Sequence, residues 1–202
     1  MSDTERKSAV SLDFDGVVFP RFPMQLAVLK PWAYNAPIMP GEPITRVHRD
    51  SPERESLEEY SKGDFKRHAG RKVKPEAAAF VKSLHVDAIF GNTGRRNHES
   101  WIEMTRDLLE EGGIDDLFTD FYFKPEGWDS DQSKYWALEE IARMGYRFTH
   151  YDDNARTIRR LAPEFPDHRF VIVQDLTSGI LFSKREMERH PNVMRIAMLK
   201  RI

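Results

Sequence analysis

Cysteine is absent from all 202 residues. Disulfides, thiolate metal sites and a cysteine nucleophile are therefore excluded, which suits a reducing cytosol. No run approaches the 18 or so consecutive apolar residues of a membrane span. The first residues, Met1-Ser2-Asp3-Thr4-Glu5-Arg6-Lys7, lack the apolar region of a secretory signal. The expectation is a cytoplasmic protein with no membrane partner. Charge of one sign is lacking too: 31 Lys and Arg stand against 33 Asp and Glu, a net −2. Bulk electrostatics thus gives no argument for nucleic-acid or membrane binding. Internal repeats and low-complexity stretches are also missing. What is present is 40% hydrophobic residues, with 13 Phe and 4 Trp, enough to build a core. The length fits one domain, or a core domain carrying an insertion. We read 1–202 as a single domain with an insertion over 20–74; oligomeric state is not legible.

Along the chain, apolar runs alternate with helical patterns. Strands are expected over Ala9 to Phe14, Val86 to Phe90, Asp120 to Phe123, Arg147 to Tyr151 and Arg169 to Gln174. Helices are expected from Glu76 to Leu84 behind Pro75, from an Asn97 cap to Glu111, from Gln132 to Met144, and up to Leu161. Gly112-Gly113 and Gly145 end two of them. Strand-helix alternation implies α/β architecture, a three-layer α/β/α Rossmann-like parallel sheet. Residues 20–43 are rich in proline and aromatics and read as an irregular excursion; residues 44–74 are densely charged with mixed sign. The segment Lys184 to Arg201 mixes basic residues with Met and Ile and reads as amphipathic packing on the body.

The most informative residues are Asp13-Phe14-Asp15-Gly16-Val17, at the end of the first apolar run. In extended chain, carboxylates two residues apart point the same way. They would emerge at a strand's carboxyl end, where open α/β sheets bind ligands. Adjacent anions repel unless a cation or a proton lies between them, which suggests Mg²⁺ and phosphoryl chemistry. Three more polar clusters lie at or just beyond strand ends or helix starts: Thr93 with Gly94 and Arg95, Lys134, and Asp152 with Asp153. A carboxylate can attack phosphorus, and a second carboxyl can protonate the leaving oxygen and then activate water. A hydroxyl with backbone N–H groups can hold phosphoryl oxygens, a lysine can balance charge, and further carboxylates suit Mg²⁺.

These residues resemble the four motifs of the haloacid dehalogenase superfamily, in the same chain order. The resemblance implies Asp13 as nucleophile, Asp15 as general acid/base, and Thr93, Gly94 and Arg95 about the substrate phosphate. It implies Lys134 as the charge-balancing lysine, and Asp13, Asp15 (through its backbone carbonyl), Asp152 and Asp153 about Mg²⁺. Tyr122-Phe123-Lys124-Pro125, then Asp129, Asp131 and Lys134, is similar to the phosphatase half of polynucleotide kinase/phosphatases. The resemblance covers roughly 8–18 and 75–175. Motif four reads Asp152-Asp153-Asn154 where the polynucleotide phosphatases usually carry arginine after the pair. The implied function is a Mg²⁺-dependent phosphomonoester hydrolase acting through an aspartyl-phosphate. Its substrate would be a phosphorylated small molecule, such as a nucleotide or sugar phosphate, or a nucleic-acid end.

Each residue also has a plainer reading. Asp-x-Asp-Gly occurs on surface turns, though a calcium loop is excluded because the glycine comes one residue early and the last-position glutamate is missing. Thr-Gly after a strand is ordinary turn chemistry. Lys124 rivals Lys134, Arg95 can simply be solvated, and Asp152 or Asp153 can cap the next helix. His48, His68 and His98 lack metal-ligand spacing and read as surface or locally hydrogen-bonded residues. The functional alternative is a phosphate-binding signalling or scaffold module without turnover.

Overall fold

The computed structural model describes residues 6–20, 68, 70–173 and 184–196. The expectations for the proline-rich stretch and most of the charged one lie outside these residues. The elements run β1 (Lys7–Leu12), α1 (Pro75–Lys82), β2 (Ala88–Arg96), α2 (Glu99–Glu111), β3 (Asp120–Lys124), α3 (Ser130–Arg143) and β4 (Tyr146–Asp152). They continue through α4 (Ala155–Leu161), β5 (Arg169–Val173), α5 (Lys184–Arg189) and β6 (Val193–Ile196). All neighbouring strands pair in parallel, in the order β3-β2-β1-β4-β5-β6. This is the expected Rossmann-like α/β sheet. The chain reverses its direction of strand addition between β1 and β4, so a crevice opens at their carboxyl ends.

One face of the sheet packs Val10, Leu12 and Ile89 with α1 and α2 through Phe80, Val81, Met104 and Leu108. The other packs Ala9, Phe90 and Phe148 with α3 and α4 through Leu138, Ile141 and Ile158. Phe14, fully buried, meets Phe19 and Phe118 edge to face. Burying one such ring contributes about 1.5–3 kcal/mol. Asp129 begins α3 by accepting the Gln132 N–H at 2.8 Å, and Asn154 begins α4 by accepting the Arg156 N–H at 3.0 Å. No described helix is long and apolar enough to cross a membrane.

Four features differ from expectation. β1 ends at Leu12, so Asp13 and Asp15 follow the strand and do not share a strand face. β2 runs on to Arg96 instead of stopping before Gly91. Gly91 is there for close packing and not for a turn: a Cβ would lie 2.5 Å from Phe14 and 2.7 Å from Phe121. Asn97 does not cap α2; its N–H donates to the Lys124 carbonyl at 2.8 Å, and His98 stands at the cap without a side-chain bond to the helix backbone. The C-terminal segment holds a sixth strand, whose Val193 is buried against β5.

Candidate active site

Three carboxylates converge at the crevice. Asp13 follows β1, Asp152 ends β4 and Asp153 comes next; all three are buried, with one oxygen from each lying within 4.8 Å of the others. The Asp13 N–H donates to the Tyr151 carbonyl at 2.9 Å, tying the end of β1 to β4. Lys134, buried on the first turns of α3, lies with Nζ 2.6 Å from Asp152 Oδ2 and 3.2 Å from Asp13 Oδ1. Lys124 instead donates to the Trp128 carbonyl at 3.2 Å, so of the two rivals Lys134 is the one among the acids.

Among the described residues one ammonium, that of Lys134, lies between the Asp13 and Asp152 carboxylates. Burial pushes the Asp13 carboxyl above its usual range; Lys134 opposes this, and Asp152, Asp153 and Asp15 add to it. Burial would also raise Asp152, but Lys134 and His150 outweigh it and hold that carboxyl below the usual range. Lys134 is held strongly protonated by Asp13 and Asp152 against its own burial. A buried group of three carboxylates, all oxygen donors, fits a hard divalent cation such as Mg²⁺.

His150 belongs to the same cluster. Its Nδ1 lies 3.0 Å from Ser11 Oγ and its Nε2 3.4 Å from Asp152 Oδ2. Asp152 Oδ1 accepts the Asn154 N–H at 2.7 Å, so both oxygens are oriented by the protein. The helix cap is therefore Asn154 and neither aspartate.

Asp15 sits in the opposite environment. Arg71 Nη1 donates to its Oδ1 at 2.6 Å; Arg95 grips both oxygens, Nη2 to Oδ1 at 2.9 Å and Nε to Oδ2 at 3.1 Å. His68 Nδ1 lies 3.3 Å from the same Oδ1. Burial would raise the carboxyl, yet His68 and Arg95 hold it well below the usual carboxylate range. Asp15 is not part of the three-carboxylate group. Between the two environments stands Gly16, with φ +95° and Asp153 against it; a Cβ would lie 1.8 Å from Asp153 Oδ2. Lys74 donates to the Gly16 carbonyl at 2.8 Å.

Thr93 is fully buried on β2, its Oγ1 accepting the Arg95 N–H at 3.1 Å. Gly94 faces the first residue of α3, where a Cβ would meet Ser130 Oγ at 2.8 Å. Arg95, expected at a substrate phosphate, turns its guanidinium inward. Beyond Asp15 it donates to Thr105 Oγ1 at 2.8 Å and lies 4.4 Å over the Phe19 ring.

His68, Arg71, Lys74 and His150 were missed by sequence reasoning as site residues, and His68 is buried rather than a surface group. The first three lie in or beside the charged stretch, where nothing marks one cation from the next. His98 is exposed and pairs locally with Ser100 at 2.9 Å; His48 lies outside the described residues.

No family model and no curated protein matches the chain. Solved structures do. A haloacid dehalogenase-like hydrolase from Bacteroides fragilis superposes with a TM-score of 0.61 at 14% identity, over 96% of this chain and 98% of that one. A haloacid dehalogenase-like family hydrolase from Streptococcus pneumoniae gives 0.55 at 12% identity, over 94% and 93%. The fold is that of the haloacid dehalogenase-like hydrolases. At such low identity the likeness carries the fold alone, and the chemistry has to be argued from the side chains. The finer similarity to polynucleotide phosphatases is not carried by these neighbours.

Proposed function

We propose that the protein is a Mg²⁺-dependent phosphomonoester hydrolase with Asp13 as nucleophile. The observation that carries this is the Asp13 carboxylate beside Lys134 within the buried group of Asp13, Asp152 and Asp153. Those three carboxylates would hold the Mg²⁺, which supplies charge neutralisation for the transferring phosphoryl group. Lys134 orients Asp13 and balances charge. Thr93 Oγ and nearby backbone N–H groups meet phosphoryl oxygens, with Gly94 packed against Ser130 beside them.

Asp13 attacks phosphorus, the ester P–O bond breaks, and an aspartyl-phosphate forms as the alkoxide leaves. Water then attacks that phosphorus and regenerates the Asp13 carboxylate. Asp15, held ionised by Arg71 and Arg95, is matched to the base role in this second step. Acting as the acid in the first step requires proton uptake against the same two guanidiniums, so the first step depends steeply on the leaving group. Arg95 in this reading positions Asp15 and does not hold phosphate.

Phosphate release from p-nitrophenyl phosphate, nucleotides, sugar phosphates and 3′-phosphorylated oligonucleotides, with Mg²⁺ or EDTA, tests the reading. Continuous Mg²⁺-dependent release, lost in Asp13→Asn, is expected. A single stoichiometric phosphorylation without release would instead favour a signalling module.

A further inference from the structure

Arg96 and Lys124 end their strands as register partners in neighbouring parallel strands, past the irregularity that follows Asn92. Both are half-buried. Like charges placed side by side destabilise a sheet, and partial burial sharpens the cost. Among the described residues the Arg96 guanidinium has no hydrogen bond or ion pair. Lys124 donates to the Trp128 carbonyl, its one hydrogen bond among the described residues. The nearby Asp129 carboxylate is already engaged at the α3 cap. Burial and the neighbouring Arg96 both weaken Lys124's hold on its proton, with Asp129 opposing. Among the described residues the fold therefore keeps two cations side by side with no ion pair, Asp129 being the one carboxylate whose charge acts on Lys124.

Their position relative to the acids follows from the elements. Arg96 is two residues beyond Gly94, and Gly94 faces Ser130. Ser130 lies one helical turn before Lys134 on the same face of α3. Strand and helix rises put the pair roughly 10 Å from the Lys134 region, a separation that one nucleoside or sugar spans. The pair lies on the α3 side of β2, as Lys134 does, whereas Arg95 lies on the α2 side with Thr105.

We infer that Arg96 and Lys124 form a second anion subsite, which takes a phosphate group of the substrate other than the one transferred. A forked guanidinium beside an ammonium matches a phosphate better than either alone. The inference rests on the phosphatase reading and narrows it to substrates carrying two phosphates, or a phosphomonoester next to a phosphodiester.

Thymidine 3′,5′-bisphosphate is compared with the 3′- and 5′-monophosphates, as substrates of the wild type and as calorimetric ligands of Asp13→Asn. The same binding comparison is repeated with Arg96→Gln and Lys124→Gln together in the Asp13→Asn background. The bisphosphate is expected to bind at least tenfold more tightly than either monophosphate, and that ratio to fall towards one when both cations are removed. Equal affinities before their removal, or a ratio that survives it, overturns the inference. The ratio is read within each protein, so a loss of folded protein scales all ligands alike. Preference in binding without turnover of any ligand sinks the hydrolase reading and leaves the subsite standing; turnover without preference does the reverse.

Discussion

Two aspartates two residues apart live in opposite surroundings. Asp13 shares the Lys134 ammonium with Asp152, and the Asp153 carboxylate lies in the same buried group, so carboxylate crowds carboxylate. Asp15 is one carboxylate gripped by two guanidiniums, with the His68 imidazole beside it. The chain separates them by ending β1 at Leu12 and turning through Gly16. Environment, not residue type, sets the difference: one carboxyl is raised and the other lowered from a common starting value. Groups whose environments push their pKa values apart are the ones to which distinct roles in acid-base and nucleophilic chemistry can be assigned.

The largest expected effect comes from removing the nucleophile. Asp13→Asn should lower phosphate release by on the order of 10⁴-fold or more while leaving the circular dichroism spectrum unchanged. Next is the residue that keeps the two environments apart. Gly16→Ala meets Asp153 and must adopt a left-handed backbone, costing about 2 kcal/mol or more by denaturant unfolding. Mg²⁺ titration should show weaker binding in the same variant.

Arg95→Met weakens the cationic side. Its kcat on an alkyl phosphate should change by about 10- to 100-fold, with a smaller change on p-nitrophenyl phosphate, whose leaving group needs no proton. Equal changes on both substrates would mean that Arg95 serves the fold alone. Its acid stability should respond as well. The folded Asp15 carboxyl is lowered, so its stabilisation is present above about pH 4 and is lost as pH falls further. Arg95→Met should flatten that loss.

The smallest effect lies outside both clusters and serves as a control. His168 is lowered to about 4, mainly by burial, and its Nδ1 accepts the Phe148 N–H at 3.1 Å. The unfolded chain takes up that proton first, so stability falls as pH drops from about 6.5 towards 4. His168→Gln should show a shallower decline across that window, with phosphate release unaffected at neutral pH.

Legibility in the sequence followed the strands. Asp13, Thr93 and Asp152 each lie at or just beyond the end of an expected strand, so the topology that brings strand ends together could be anticipated from pattern. Lys134 was recognisable by spacing, although only the fold separates it from Lys124. Gly91 misled because glycine after an apolar run usually signals a turn, whereas here it makes room for Phe14 and Phe121. Arg95 was expected at a substrate phosphate because it follows Thr93 and Gly94; the longer β2 turns its guanidinium inward onto Asp15 and Thr105. His68 and Arg71 had no periodic context, and their partner Asp15 is more than 50 residues away in sequence. Nothing singled out His150 within the expected Arg147–Tyr151 strand; pairing with Ser11 across the sheet makes its burial tolerable. β6 was hidden because only Val193 of its four residues is fully buried.

The most direct test of the division between the two aspartates is acid-quench trapping with ³²P-labelled p-nitrophenyl phosphate in Mg²⁺, followed by denaturing electrophoresis. The account predicts that covalent label accumulates on Asp15→Asn, where water activation is impaired, and never on Asp13→Asn. Label on Asp13→Asn, or undiminished phosphate release by it, would contradict the account.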